Sequence, residues 1–186
     1  MNLYSPFPTF QTERLDIREF RDSDVDDYFR LRTEIDVMRY VNRPMPNRGD
    51  KMEQIRKVYQ MHNEGTGIGW AISLKGNPAL IGTIGFYRMN LANFRAEIGY
   101  MLMPEYWRQG LTNEAIKAVL NFGFSKMNLH SVEADINPDN EASRAILLKN
   151  GFQKEAYFRE NFYFEGQFMD SEIYSLLVSK WNGAGK

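Results

Sequence analysis

Cysteine is absent from this 186-residue chain. That absence removes disulfides, thiolate zinc sites and any cysteine nucleophile. Histidine is scarce: His62 and His130 lie far apart in sequence, so a His-based site is not expected, and no metal is. No apolar run approaches the roughly 18 to 20 residues that cross a bilayer, so no membrane span is expected. The opening MNLYSPFPTF lacks a basic segment followed by an apolar one and is not expected to act as a secretory signal. With 23 basic and 24 acidic residues the net charge is -1, which offers no surplus of cations for general nucleic-acid binding. A Gly-Lys-Ser/Thr phosphate loop is missing too, which weighs against an ATP site of that type. There is no repeat, low-complexity segment or linker. The chain is therefore expected to fold as one domain over 1–186, with 182–186 as a frayed tail, and to be cytoplasmic.

What is present is a globular composition, 43% hydrophobic and 14% aromatic, long enough for one sizeable core. The most informative stretch is AEIGYMLMPEYWRQGLTNE, Ala96 to Glu114. Glu97, Gly99 and Met101 alternate with Ile98, Tyr100 and Leu102, the period of a strand. Pro104 stops it, Trp107 to Gly110 make a tight turn, and Leu111 opens a helix that reads to Lys126. The first N–H groups of a helix lack internal acceptors, and the macrodipole adds positive potential. The turn Arg108 to Asn113 is therefore expected to hold a phosphate or pyrophosphate, with the Arg108 side chain as an added cation.

The remaining elements read in order. A strand runs over Leu15 to Phe20, and Asp22-Ser23-Asp24 supply N-cap residues for a helix over Val25 to Thr33. A short helical piece covers Val37 to Val41, and a helix covers Asp50 to Asn63, with His62 read as a partly exposed residue without a role. Strands follow over Gly69 to Leu74, Ala79 to Tyr87, Arg95 to Met103 and Ser131 to Ile136. A helix covers Glu141 to Lys149, ended by Asn150-Gly151. A last hairpin, near Gln153 to Phe162 and Phe168 to Ser179, turns at Glu165-Gly166-Gln167. This order gives a mixed α/β fold around one sheet.

Three ordered motifs, EIGYML, PEYWRQGLTNEA and NPDNEASRAILLKNGF, together with TERLDIREF near the start, resemble the GNAT acetyltransferase superfamily over nearly the whole chain. Within it the chain is similar to the RimJ/RimL-type N-acetyltransferases. Two positions depart from the family's phosphate turn: Trp107 stands first where Gln or Arg is usual, and Thr112 stands last where Gly or Ala is usual. The resemblance implies a central, mostly antiparallel sheet, splayed between the fourth and fifth expected strands, with helices on both faces. It also implies acetyl-CoA as cosubstrate and a primary amine as acceptor. The acceptor would be a protein N-terminus, as in ribosomal-protein acetyltransferases, or a small amine.

On this resemblance the pyrophosphate sits on Arg108, Gln109, Gly110, Leu111, Thr112 and Asn113. The pantetheine arm pairs with the strand edge at Met101, Leu102 and Met103, flanked by Asn137, Asn140 and Ser143, while Lys149 meets the ribose phosphate. The amine attacks the thioester directly. Glu97 is the first candidate for the base and Glu160 the second, acting directly or through water. Ser143 is placed to hydrogen-bond the departing sulfur. The helix tyrosine that many relatives place here is replaced by Leu147. Tyr40, Phe86, Tyr87, Phe94, Tyr157, Phe162 and Tyr163, with Arg88, Arg95 and Arg159, are expected around the acceptor. Glu114 and Lys117 read as solvated surface. A module that senses CoA without turnover is the alternative class, and a homodimer through the last hairpin stays open.

Overall fold

Apolar residues at every second position line up across neighbouring strands. Leu15 and Ile17 face Leu74 and Ile72; Ile68 and Trp70 face Phe86 and Ile84; Phe86 in turn faces Ile98. In a computed structural model that describes residues 4–41 and 43–183, these rows form one side of an eight-stranded sheet. The strands are β1 (Phe10–Gln11), β2 (Leu15–Arg18), β3 (Ile68–Leu74), β4 (Gly82–Asn90), β5 (Arg95–Leu102), β6 (Ser131–Ile136), β7 (Gln153–Phe164) and β8 (Gln167–Leu177). Their spatial order is β1-β2-β3-β4-β5-β6-β8-β7. Every neighbouring pair is antiparallel except β5 and β6.

Among the described residues five α-helices accompany the sheet: α1 (Val25–Thr33), α2 (Ile35–Met38), α3 (Met52–Glu64), α4 (Leu111–Ser125) and α5 (Glu141–Lys149). They cover both faces. The larger core packs α4, through Ala115, Ile116, Val119 and Leu120, on Trp70, Ile84, Phe86, Ile98 and Val132. Gly123 lets α4 sit this close, because a Cβ there would stand 2.7 Å from the Phe86 ring. On the opposite face Tyr28, Leu31, Val37 and Ile55 meet Ala71 and Met103. Burying each large side chain contributes roughly 1.5–3 kcal/mol, so both layers are needed to offset chain entropy.

Several expectations change in detail. β1 is an added two-residue strand. β4 starts at Gly82 rather than Ala79 because the preceding residues are engaged elsewhere: the Pro78 carbonyl accepts from Arg18, and the Leu80 N–H donates to Asp27. Asp24 does not cap α1 through its side chain. Its carboxylate instead accepts two bonds from the Arg18 guanidinium, at 2.7 and 2.8 Å, and one from the Arg21 N–H. His62 is buried against Phe7 rather than partly exposed, and burial lowers its pKa. Of the expected frayed tail, 184–186 lie outside the described residues.

Candidate active site

β5 is fixed on one edge and open on the other. It pairs with β4 from Glu97 to Leu102 without a break. With β6 it pairs only at Arg95, Ala96 and Glu97, and beyond Glu97 the two strands part. β6 itself continues along β8 to Ile136. The gap between Ile98–Leu102 and Ala134–Ile136 is a cleft of about 210 Å³.

Hydrogen-bond parity decides which backbone groups face this gap. The Met103 N–H donates to the Ile81 carbonyl at 2.9 Å, in register with the Gly82–Leu102 pair. Antiparallel neighbours alternate between bonded and unbonded pairs. Met101 and Gly99 therefore also turn their backbone toward β4, while Ile98, Tyr100 and Leu102 turn theirs toward the gap. Two contacts agree. The Leu102 carbonyl accepts from the Trp107 indole at 2.6 Å, and the Phe94 carbonyl accepts from the His130 N–H on the β6 side at 2.7 Å. The expectation of free backbone groups on Met101 and Met103 is thereby corrected to the Ile98 carbonyl and the Tyr100 backbone, together with the Leu102 N–H; the Ile98 N–H closes the last β5–β6 pair, Glu97–Glu133.

The two faces of β5 carry different chemistry. Glu97 projects with Glu133 and Asp135 on the side of α1 and α3, since Glu97 and Glu133 are register partners. Its carboxylate pairs with Arg88 at 2.7 Å and is 13% exposed. Burial raises its pKa, the Arg88 cation opposes the rise, and Asp135 and Glu133 add to it. Tyr100 faces the opposite way, toward α5, and its buried hydroxyl has no hydrogen-bond partner. Burial pushes its pKa up to about 12, partly offset by the neighbouring Ser143 hydroxyl. Leu147, at the place of the missing helix tyrosine, is fully buried in the core.

Asn140 caps α5, accepting the Ser143 N–H at 3.1 Å, and Asn137 turns the chain before it by accepting the Asp139 N–H at 2.8 Å. Both line the cleft with Ser143. At the far end of α5, Asn150 donates to the Asn113 side chain at 2.9 Å. This link places Lys149, which is exposed, at the same end as the first turn of α4.

The turn before α4 has the shape its residues suggest. Gly110 sits at φ 79° as the N-cap residue, and Arg108 precedes it at φ 59°. The Gly110 carbonyl takes its first helical bond from Glu114, so the N–H groups of Leu111, Thr112 and Asn113 have no helical acceptor. Glu114 is not free surface. It accepts from Thr12 Oγ1 at 2.5 Å, from the Arg14 N–H at 2.8 Å and from Arg14 Nε at 2.8 Å. Those bonds outweigh its desolvation and hold its pKa low. Arg14 also donates to the Gln109 carbonyl at 2.9 Å. A carboxylate in the first turns of an anion-binding helix would repel its ligand; Arg14 neutralises it and leaves the helix end positive.

The acceptor wall is partly as expected. Tyr40, Tyr87, Arg88 and Phe162 line the cleft, joined by Arg32, Arg43, Asp135 and Asp170. Phe86 instead fills the core, and Arg95 pairs with Glu133. Phe94, Tyr157, Tyr163 and Arg159 do not line the cleft. Glu160, the second candidate for the base, is not among the residues that line the cleft. It stands at φ 51° in an irregular, exposed part of β7, with its N–H on Asp170, which does line it.

The family follows from comparison with known proteins. The sequence model of the Acetyltransferase (GNAT) domain matches residues 14–153. The chain belongs to the GNAT acetyltransferase family. It is 37% identical over 172 residues to the uncharacterized N-acetyltransferase YoaA of Bacillus subtilis, covering 92% of this chain and 97% of that protein. It is 24% identical over 125 residues to the Escherichia coli [ribosomal protein uS5]-alanine N-acetyltransferase, covering 67% and 64%. Among solved structures, a GNAT acetyltransferase from Bacillus anthracis superposes with TM-score 0.81 at 28% identity, over 92% of this chain and 99% of that one. Spermidine N-acetyltransferase from Vibrio cholerae, in complex with CoA and spermine, superposes with TM-score 0.80 at 20% identity, over 91% and 98%. GNAT membership makes this chain an N-acetyltransferase. It also fits the splay, since the parallel β5–β6 pair is where the sheet opens.

Proposed function

We propose that this GNAT acetyltransferase uses acetyl-CoA as donor and a primary amine as acceptor, and that it belongs to the RimJ/RimL-type branch. The observation that carries the proposal is the open edge of β5, with Glu97 on one face and Tyr100 beside Ser143 on the other. The Ile98 carbonyl, the Tyr100 backbone and the Leu102 N–H are available to an amide-bearing arm, as strand edges are. The N–H groups of Leu111 to Asn113, with Arg108 and Lys149, would hold the phosphates.

Bound acetyl-CoA supplies the acetyl thioester. Glu97, with its raised pKa, takes a proton from the acceptor ammonium directly or through water. The amine nitrogen then forms its bond to the carbonyl carbon as the carbon–sulfur bond breaks. Tyr100, through its unpartnered hydroxyl and with Ser143 beside it, gives a proton to the departing sulfur, and the second proton that the nitrogen sheds on becoming the amide returns through water to Tyr100. A module that only sensed CoA would need the phosphate turn but no raised carboxylate in the cleft, and Glu97 is one. A cytoplasmic setting, where acetyl-CoA is at hand, goes with this reading.

The test is release of CoA thiol from acetyl-CoA across N-terminal peptides, amino acids and polyamines. The enzyme has no cysteine to add background. Amine-dependent release that falls in Glu97→Gln supports the proposal. CoA binding with no release for any amine would remove it.

A further inference from the structure

We propose that Arg32 and Arg43 form an anion subsite that receives a carboxylate carried by the amine acceptor. This rests on the transferase reading above and names the class of amine that reading leaves open.

Arg32 lies in the last turn of α1, lines the cleft and is only 6% exposed. A buried guanidinium is ordinarily matched by a carboxylate, because an unpaired charge is costly away from water. Arg18, the other buried arginine of this region, shows the rule: Asp24 grips it with both oxygens. Arg32 has no such carboxylate among the described residues. Its neighbours are neutral: the Pro44 carbonyl accepts from it at 3.3 Å, and the Tyr28 hydroxyl lies beside it. Its Nε is buried with no acceptor. A cation in the last turn also suits the helix dipole, but that role is open to an exposed side chain and does not require burial. Arg30, exposed in the same turn and paired with Glu105, already fills it.

Arg43 supplies the second cation. It lines the same cleft with its guanidinium 5.6 Å above the Tyr87 ring, its charge acts on Glu97 from a distance, and it makes no salt bridge among the described residues. Tyr87 is the register partner of Glu97 across β4 and β5. The two arginines therefore stand on the same side of the sheet as the candidate base. The cleft's other charges are already engaged or negative. Arg88 pairs with Glu97, and Asp170 accepts from Tyr157 and from the Glu160 N–H. An acceptor with an ammonium toward Glu97 and Asp135 and a carboxylate toward Arg32 and Arg43 satisfies both ends. A polyamine would meet two cations with no anion to offer them.

Two sources present this chemistry: the α-carboxylate of a free amino acid, and an acidic side chain next to a peptide N-terminus. The experiment is a calorimetric titration of the CoA complex, which binds acceptors without turnover. The probes are matched pairs: free amino acids against their amides, and Ala-Asp-amide against Ala-Asn-amide peptides. Within the pair that fits the site, the carboxylate member is expected to bind about 10- to 100-fold more tightly, as a charge-assisted bond should give. Arg32→Met and Arg43→Met should each shrink that ratio while changing amide binding by less than about threefold. Which pair responds identifies the source. Equal binding of acids and amides throughout, or a ratio that survives in both variants, would overturn the subsite. If Arg32→Met does not fold, the exposed Arg43 still decides the question through Arg43→Met. Because binding is read without turnover, failure of acetyl transfer would sink the transferase reading and still leave the titration to decide this one.

Discussion

The two edges of β5 come from one strand and have opposite fates. Its β4 edge is closed over six consecutive pairs, from Tyr87–Glu97 to Gly82–Leu102. Its β6 edge closes for three residues and then opens. Of these two edges the open one gathers the candidate groups: Glu97, Tyr100, Ser143, Asn140, Arg32 and Arg43 all border it. Left open to a ligand, unpaired backbone groups cost far less than they would when buried, because water or the ligand satisfies them. A sheet that zipped completely would have no site. The closed edge holds β5 in place so that the open edge can be aligned to sub-ångström tolerances.

This comparison predicts that damage at the open edge lowers activity and spares stability, while damage at the closed edge lowers both. The largest expected effect is at Glu97. Glu97→Gln should reduce kcat by about 10²- to 10⁴-fold, the range for a lost general base, with no loss of Tm and CoA affinity intact. Steady-state kinetics beside a thermal melt check it. A parallel loss of Tm would show that the two edges are not separable in this way.

At the closed edge the probe is Gly82→Ala. A Cβ at Gly82 would stand 2.4 Å from the Met101 carbonyl oxygen, which is backbone and cannot swing away. Stability should fall by about 1–3 kcal/mol, as for other overpacked positions. Activity should fall with it, because β5 must shift to make room. Urea unfolding of the variant against the parent measures the loss.

Tyr100→Phe sharpens the comparison from the opposite face of the same strand. Removing a buried hydroxyl that has no partner should not destabilise the fold and can stabilise it slightly. If the hydroxyl serves the departing sulfur, kcat should drop by about tenfold or more while KM for the amine stays. A good leaving group, such as an acetyl ester of a more acidic thiol, should restore the rate. An unchanged kcat would leave Ser143 as the only hydroxyl at that position.

Much of this arrangement is legible in the sequence because its parts are contiguous. The strand over Glu97 to Leu102, the break at Pro104, the glycine at 110 and the helix from Leu111 follow one another within local chemistry, and they form as read. What is not legible depends on residues far apart in the chain. Glu114 reads as solvated surface because nothing local shows Thr12 and Arg14 arriving about 100 positions away. His62 reads as half exposed because its helix pattern cannot reveal that Phe7 covers it. Choosing Met101 and Met103 over Ile98 and Tyr100 is a parity error, and parity is set by the β4 register rather than by β5 alone. Tyr100 carries one usable signal. Leu147 vacates the usual tyrosine position, and Tyr100 is the tyrosine on the strand bordering the splay.

The smallest effects concern pH, and they follow from the sign of the shift at Glu97. Burial raises its pKa and Arg88 holds the rise in check. The acidic limb of kcat/KM should therefore lie above the ordinary glutamate value, and Arg88→Met should move it further up, since a cation that favours the carboxylate is gone. The same shift has a consequence for folding. Between the unfolded and the raised folded pKa the native state holds the proton more firmly, so νN exceeds νU and stability declines as pH rises through that window. Glu114 and Glu172 run the other way. Their folded pKa values are lowered, so their contribution is present above the unfolded value and is lost as pH falls through the folded one. Glu97→Gln should then be slightly more stable than the parent at neutral pH and lose that advantage in acid. The gain should be a few degrees at most, since about 1 kcal/mol moves Tm by roughly 2–4 °C in a chain this size. Thermal melts of both proteins across pH read the crossover. A variant equally stable at every pH would mean that the carboxylate is not desolvated, and the closed edge would then hold β5 without placing a strained base at the open one.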